Sequence, residues 1–296
     1  MDISFETYWN TRRDLVNKAL EAFVIAPSGC PQELIEAMRY SVLAPGKRLR
    51  PILTIAGSEA VGGSVEQVIP TACALELIHA FSLVHDDLPA LDNDDLRRGR
   101  PTSHVKFGEA MAILAGDALF AQAFDLIGRN VEFAPADRVV RVLKIVAEAS
   151  GTDGMVAGQV MDILSEGQAP EAERVDYIHS RKTAALIQAA VVSGAILSGA
   201  DEEQISRLEL YGSSIGVAFQ VTDDILNVTG DASELGKATG SDVERGKSTY
   251  PALYGLDKSI QVANELVIRA KEALVPFGAA AQPLLAIADL VTERRT

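Results

Sequence analysis

His85-Asp86-Asp87-Leu88-Pro89-Ala90-Leu91-Asp92 ends one apolar helical run, and Gln220-Val221-Thr222-Asp223-Asp224-Ile225-Leu226-Asn227 ends another. The first aspartate pair follows Ala80-Phe81-Ser82-Leu83-Val84 and the second follows Gly216-Val217-Ala218-Phe219, so both runs are expected to bury their carboxylates. A buried, uncompensated anion is costly, and an oxygen-bound divalent cation is the natural compensation. Mg²⁺ held by one or two carboxylates plus substrate phosphates is the common arrangement. Asp223 and Asn227 stand four residues apart with Gln220 three before, so one helical face presents three oxygen-bearing side chains. Asp86 and Asp92 are six apart, which on a straight helix would point them about 120° from one another. Pro89 lacks an N–H and disfavours continued helix, so the chain is expected to loop and return Asp92 toward Asp86. A single acidic pair also fits a solvated helix end. Two pairs, each inside an apolar run, favour a cation site.

Working outward, helical periodicity covers 5–23, 31–43, 51–61, 65–88, 107–127, 136–164, 174–197 and 202–228, with two further segments from 257 onward. Alanine and leucine abound and alternating β-branched runs are nearly absent, so an all-α bundle is expected over one domain, residues 1–296. Pro31 and Pro51 suit helix first turns, and Gly46, Gly99 and Gly230 mark breaks. Two long polar connections, 93–106 and 231–249, directly follow the acidic clusters, and loops of that length inside a compact domain are usually functional.

With 296 residues, 48% hydrophobic and 5% aromatic, the chain can bury a large aliphatic core. The net charge of −14 argues against nonspecific binding to nucleic acid or anionic membrane. Cys30 and Cys73 stand alone, so neither a disulfide framework nor a zinc site is indicated, and a reducing cytoplasm fits. Residues 1–18 carry Asp2, Glu6 and Asp14 and lack the apolar core of a signal peptide. The most membrane-like stretch, 184–200, contains Gln188, Ser193 and Ser198 and falls short of about 20 residues, so it reads as a buried helix rather than a span.

The cations are few and grouped: Lys47, Arg48 and Arg50 before an apolar helix, Arg97, Arg98 and Arg100 after the first acidic cluster, and Arg181, Lys182, Lys237 and Lys247 in the second half. Cations gathered near acidic clusters in an acidic protein suggest anionic ligands bridged to the carboxylates by metal, and diphosphates fit. Gly246-Lys247-Ser248-Thr249 imitates a P-loop tail, but Gly240 leaves five intervening residues where four are required, and no strand precedes it. His79 lies seven residues before Asp86, on almost the same helical face about 10 Å away. Alone it reads as a core histidine; beside a second anionic ligand it is a donor.

With these residues in place, the chain resembles the trans-isoprenyl diphosphate synthases, most closely the bacterial farnesyl diphosphate synthases. The resemblance runs through GKRLRP at 46–51, ELIHAFSLVHDDLPALDNDDLRRGRPTSH at 76–104, GQVMD at 158–162, RKTAALI at 181–187, FQVTDDILN at 219–227 and GKSTYP at 246–251. It implies the all-α isoprenoid synthase (prenyltransferase) bundle with a central cavity, a homodimer, and a Mg²⁺ cluster of about three ions on an allylic diphosphate. By resemblance, Asp86 and Asp92 hold metal from one side and Asp223 from the other, with Asp87 and Asp224 supporting. Arg97, Lys182 and Lys237 complete the allylic diphosphate pocket, to which Lys247 also belongs. Lys47, Arg50, His79 and Arg98 match the metal-free site for isopentenyl diphosphate. Thr183, Gln220 and the backbone near Lys182 match groups whose oxygens stabilise the allylic cation.

That chemistry needs no Ser-His-Asp constellation, since ionising an allylic C–O bond requires electrostatic neutralisation of the leaving group. Phe81, with Ser82 beside it, precedes Asp86 by five residues and should lie roughly 7.5 Å deeper along the helix, where a ring blocks a growing chain. In the resembling family an aromatic there, with two extra residues inside the first acidic motif, accompanies a fifteen-carbon product made from dimethylallyl or geranyl diphosphate. A geranylgeranyl diphosphate synthase is the alternative, and a class I terpene cyclase would not need the Lys47, Arg50 and His79 site. A non-catalytic partner subunit would be expected to lose carboxylates. Asn227 stands where the family often has a third Asp, offering one carbonyl oxygen with one charge fewer.

Overall fold

A computed structural model of the chain describes residues 4–229 and 247–293. Fourteen helices and one minimal hairpin make up the described regular structure apart from short 3₁₀ and π turns: α1 (Phe5–Phe23), α2 (Gln32–Val42), α3 (Leu49–Ala60), α4 (Val65–Asp86), β1 (Leu96–Arg97), β2 (Arg100–Pro101), α5 (Ser103–Phe107), α6 (Glu109–Arg129), α7 (Ala136–Ser150), α8 (Met155–Ser165), α9 (Ala172–Ile178), α10 (Ala185–Leu197), α11 (Glu202–Thr229), α12 (Tyr250–Tyr254), α13 (Leu256–Ala273) and α14 (Gln282–Glu293). The all-α expectation holds.

Two helices form the axis of the bundle. α4 starts at a capping box in which Ser64 N–H donates to Gln67 Oε1 at 2.9 Å, satisfying an otherwise orphaned donor. It packs on α6 and α3. α10 is buried from Leu186 to Leu197 except at half-buried Gln188 and packs on α3, α11 and α7, so the 184–200 stretch is a core helix. Its approach to α3 is closest where side chains vanish: a Cβ on Gly57 would strike the Val191 carbonyl and one on Gly194 the Thr54 carbonyl. Each fully buried Ile or Leu of these helices, such as Ile55, Leu75 and Leu186, contributes about 1.5–3 kcal/mol relative to exposure. Membrane-like length and apolarity do occur elsewhere: Val65–Asp86, Glu109–Glu132 and Val275–Glu293 are long and apolar enough to cross a membrane by length and composition.

Four expectations are corrected. The helix read over 136–164 breaks into α7 and α8, because Gly151 and Gly154 take non-helical angles and a Cβ at Gly154 would collide with the Ala149 carbonyl. The helix read from 107 starts at Glu109, after Gly108 turns the chain at φ 86°. The polar connection 93–106 is ordered: Arg98 and Gly99, at φ 53° and 72°, form the two-residue turn between β1 and β2, and α5 follows. The helix over 174–197 contains a π-helical segment, His179–Ala184. The connection 231–249 falls outside the described residues through 246.

Candidate active site

The first acidic arm is built by the end of α4. Pro89 ends the helix and the chain folds back on itself: Asp92 N–H donates to the Asp86 carbonyl at 2.8 Å, Asn93 to Leu88 at 3.1 Å and Asp94 to Asp87 at 3.2 Å. Residues six apart in sequence thereby become neighbours, as the proline suggested. Burial pushes the Asp86 carboxyl up to about 6; Lys182 opposes that rise while Asp92 and Asp87 add to it. Asp87 is buried and gripped by Arg97, whose Nε lies 2.8 and 3.0 Å from its two oxygens and whose Nη2 lies 2.5 Å from Oδ1. Burial works against the Arg97 charge, but the bonds to Asp87 outweigh it and its pKa is raised. Arg97 belongs to β1, so this fork ties the hairpin to the end of α4.

The second arm joins the π segment to α11 through a chain of polar contacts. Thr183 Oγ1 donates to Gln220 Oε1 at 2.8 Å, Gln220 Nε2 donates to Asp224 Oδ1 at 3.0 Å, and His179 Nε2 stands 3.1 Å from Asp224 Oδ2. Tyr250 N–H donates to the same oxygen at 3.1 Å, and its ring stacks on His179 at 5.0 Å. Two residues of the π segment thus meet two residues of α11 spaced by one turn. Asp224 is consequently buried, whereas Asp223 is exposed, contrary to the expectation that both aspartates would be buried. Adjacent helical residues point about 100° apart, so only one of the pair can face the core. Asp224 is held by protein donors and fixes the face that presents Asp223; Asn227, one turn on, is half-buried.

Lysines connect the arms. Lys182 Nζ donates to Asp162 Oδ2 at 2.6 Å, and Lys247 Nζ lies 3.9 Å from that oxygen and 4.0 Å from Asp92 Oδ1. Burial would lower the Lys182 pKa, but Asp162 and then Asp86 raise it on balance. Asp162 shows the converse: burial raises its pKa, and Lys182 and Lys247 bring it below the usual range. Asp162 closes the GQVMD motif, which by itself marks the position without assigning it a role; the contact with Lys182 supplies one. α8 can approach this closely because a Cβ on Gly158 would collide with the Lys182 backbone. Lys237 lies outside the described residues.

The basic site beneath is divided more sharply than its sequence suggests. Arg48, at φ 53°, turns inward: Nη1 lies 2.8 Å from Glu76 Oε1, Nε 2.9 Å from Asn17 Oδ1 and Nη2 2.8 Å from the Ala44 carbonyl. Lys47 is exposed and Arg50 half-buried. Burial, then Arg50, Arg98, Arg97 and Arg48 hold the His79 pKa well below its usual value, so its ring is neutral at pH 7. Burial likewise lowers the Arg50 and Arg98 pKa values, with Glu76 opposing. Arg98 also donates to the Pro45 carbonyl, which places the hairpin turn over this site. On the Asp86 side, Phe81 packs on His85 at 4.7 Å between centroids and on Phe120 at 4.8 Å, while Ser82 Oγ donates to the His79 carbonyl at 2.9 Å.

Among the described residues no three His, Cys, Asp or Glu side chains converge on one metal position. The return of the chain after Pro89 brings Asp86 and Asp92 together, and carboxylate oxygens are the donors that Mg²⁺ takes, one or two at a time, with water and phosphate oxygens completing its shell. The raised Asp86 pKa fits as well: its carboxylate lies where burial and Asp92 disfavour negative charge unless a cation joins it.

A family model described as polyprenyl synthetase matches residues 31–273. Over 289 residues the chain is 46% identical to a geranylgeranyl diphosphate synthase of Cyanophora paradoxa, covering 97% of this chain and 96% of that one. Among solved structures, an apo FPP/GFPP synthase from Zymomonas mobilis is similar with a TM-score of 0.86 and 33% identity over 99% of this chain and 100% of that one. A geranylgeranyl pyrophosphate synthetase from Pyrococcus horikoshii Ot3 is similar with a TM-score of 0.87 and 32% identity over 98% of each chain. With motifs, bundle and relatives in agreement, the chain belongs to the polyprenyl synthetase family and is a prenyltransferase on the all-α isoprenoid synthase fold.

Proposed function

We propose that the protein condenses isopentenyl diphosphate with dimethylallyl and then geranyl diphosphate, head to tail, to give (2E,6E)-farnesyl diphosphate. The observation that carries this reading is the pairing of two anion sites of different character. One joins carboxylates and lysines, Asp86, Asp92, Asp162, Lys182 and Lys247; the other gathers Arg50, Arg98 and neutral His79 beside exposed Lys47, with its one carboxylate, Glu76, taken up by Arg48. Two diphosphates, one bound through metal and one without, explain the division.

Asp86, Asp92 and Asp223 would hold Mg²⁺, with Asp87 and Asp224 supporting from behind. When bound, the ions neutralise the charge that develops on the departing diphosphate. Lys182 and Lys247 donate to the same diphosphate, joined by Arg97 and Lys237. The allylic C1–O bond breaks with its electron pair leaving on diphosphate oxygen. The Thr183 and Gln220 oxygens face the resulting cation, and the aliphatic walls exclude water. The alkene of isopentenyl diphosphate, held by Lys47, Arg50, His79 and Arg98, forms the new C–C bond, and a proton passes from its C2 to a diphosphate oxygen. No protein base is required.

Product length has a second reading with its own support. The Cyanophora relative is named a geranylgeranyl synthase, and the relatives' names back twenty carbons over fifteen. The Phe81 ring, wedged between His85 and Phe120 one turn and more below Asp86, supports fifteen. A non-catalytic partner subunit has little to recommend it, since carboxylates and lysines form one network here. Exposed Ile113 and Leu114 on α6 and Val156, Val160 and Ile163 on α8 support the homodimer. The experiment is incubation with isopentenyl diphosphate and dimethylallyl or geranyl diphosphate, with Mg²⁺ or chelator, and sizing of the dephosphorylated alcohols. A Mg²⁺-dependent fifteen-carbon alcohol supports the proposal, a twenty-carbon alcohol selects the second reading, and no condensation refutes both.

A further inference from the structure

A pocket of about 70 Å³ lies between α2, α4 and the β1–β2 hairpin. Its α4 wall is Ala80, Leu83, Val84 and Asp87, a face turned by about 100° from the one that carries His79 and Asp86. Neither Lys47, Arg50 and His79 nor Asp86 and Lys182 line it, so it stands apart from both diphosphate sites. At roughly 10–15 Å³ for each water-sized group it has room for about five to seven of them, the size of a short branched tail.

Two polar groups on its wall have no hydrogen-bond or ion-pair partner among the described residues. The Arg100 guanidinium lies over the Tyr40 ring, 4.5 Å from its centroid, and Tyr40 is fixed in turn by donating to the Pro101 carbonyl at 2.8 Å. Stacking holds the fork in place while its N–H groups meet no carboxylate. Ser103 is 4% exposed, and its hydroxyl makes no hydrogen bond. Buried donors without acceptors are costly, so an acceptor is what the pocket lacks. The one carboxylate on the wall, Asp87, is taken up by Arg97, which leaves Arg98 and Arg100 to set the sign of the charge. An anion is therefore selected, and the flat Arg100 fork matches a carboxylate through two parallel bonds.

We propose that this pocket is a regulatory site for a small amphipathic carboxylate, with its head on Arg100 and Ser103 and its branched tail against Ala80, Leu83 and Val84. Its effect on catalysis rests on the prenyl diphosphate synthase reading, whereas binding does not. Arg98 lines the same pocket and donates to the Pro45 carbonyl. A bound carboxylate draws Arg98 toward itself and away from isopentenyl diphosphate, while Arg97 stays on Asp87. Occupancy thus raises KM for isopentenyl diphosphate and leaves KM for the allylic substrate unchanged.

The test is calorimetric titration of the full-length protein with isocaproate, and with isohexanol as the same tail without charge, followed by kinetics at saturating isocaproate. Wild type, Arg100→Gln and Ser41→Leu are compared, with thermal unfolding to confirm that each is folded. Ser41 lines the pocket from α2, and leucine there fills it. Isocaproate is expected to bind wild type saturably, isohexanol and Arg100→Gln to weaken binding about tenfold or more, the worth of a charged hydrogen bond, and Ser41→Leu to abolish both binding and the rise in KM. Absence of saturable binding, equal binding of the alcohol, or binding undiminished in both variants would overturn the inference. Binding as expected by a protein that condenses neither starter would keep the site and overturn the underlying reading instead.

Discussion

Arg48→Met is the most demanding test of the basic site. Arg48 is 5% exposed and so is Glu76, 2.8 Å away, with the remaining guanidinium nitrogens on Asn17 and the Ala44 carbonyl. Removing the guanidinium strands a carboxylate in the core and frees two further acceptors, which for a buried pair costs about 3–5 kcal/mol. Against a total stability of roughly 5–15 kcal/mol this lowers the thermal midpoint by on the order of 10 °C. The loss has a direction as well as a size. Glu76 already attracts Arg50 and Arg98, so the orphaned carboxylate draws those guanidiniums inward and KM for isopentenyl diphosphate rises more than KM for the allylic substrate. Adding Glu76→Leu removes the stranded charge and recovers most of the stability. Urea unfolding of wild type, Arg48→Met and Arg48→Met/Glu76→Leu gives the three free energies. A loss below about 1 kcal/mol for the single change would refute the inward role of Arg48, since that is the range of exposed ion pairs.

Three more outcomes are expected. Because burial raises the Asp86 pKa to about 6, above roughly 3.9 in the unfolded chain, ionising it costs the metal-free protein stability as pH rises from about 4 through 6, up to about 3 kcal/mol. Asp86→Asn removes that slope from the urea midpoints at pH 4.5 and 7.5 while abolishing condensation, and an unaltered slope counts against the assignment. Asp162→Asn weakens the hold on Lys182 and lowers kcat/KM for the allylic substrate by about tenfold or more, the worth of a charged hydrogen bond, with KM for isopentenyl diphosphate unchanged; equal effects on both substrates speak against a local role. Gly158→Ala drives a methyl group into the Lys182 backbone, costing about 1–3 kcal/mol in thermal or urea unfolding, and an unperturbed variant would show that α8 and the π segment are not in contact.

The helical bundle and the two acidic arms were legible in the sequence because their signals are local. Apolar spacing of 3.6 residues, a proline three residues past Asp86 and glycines at turns act within a few residues of themselves, so α4, α10, α11 and the return of Asp92 to Asp86 follow from the chain alone. The break at Gly151 and Gly154 was also local, but the strong helical period on either side masked it.

What only the tertiary structure decided concerns partners far apart in sequence. Arg48 and Arg50 look alike in GKRLRP, and Glu76, 28 residues on, separates them by pulling one into the core. Asp223 and Asp224 are adjacent and chemically identical; His179, Gln220 and Tyr250 engage one and leave the other exposed. The π segment that turns Lys182 toward Asp162 and Thr183 toward Gln220 exists where α8 and α11 both press on it, and no periodicity in 174–197 announces it. Residue type and spacing therefore determined which chemistry the chain carries. The low dielectric of the packed interior, where a carboxylate must find a donor wherever the fold supplies one, decided which of several equivalent residues performs it.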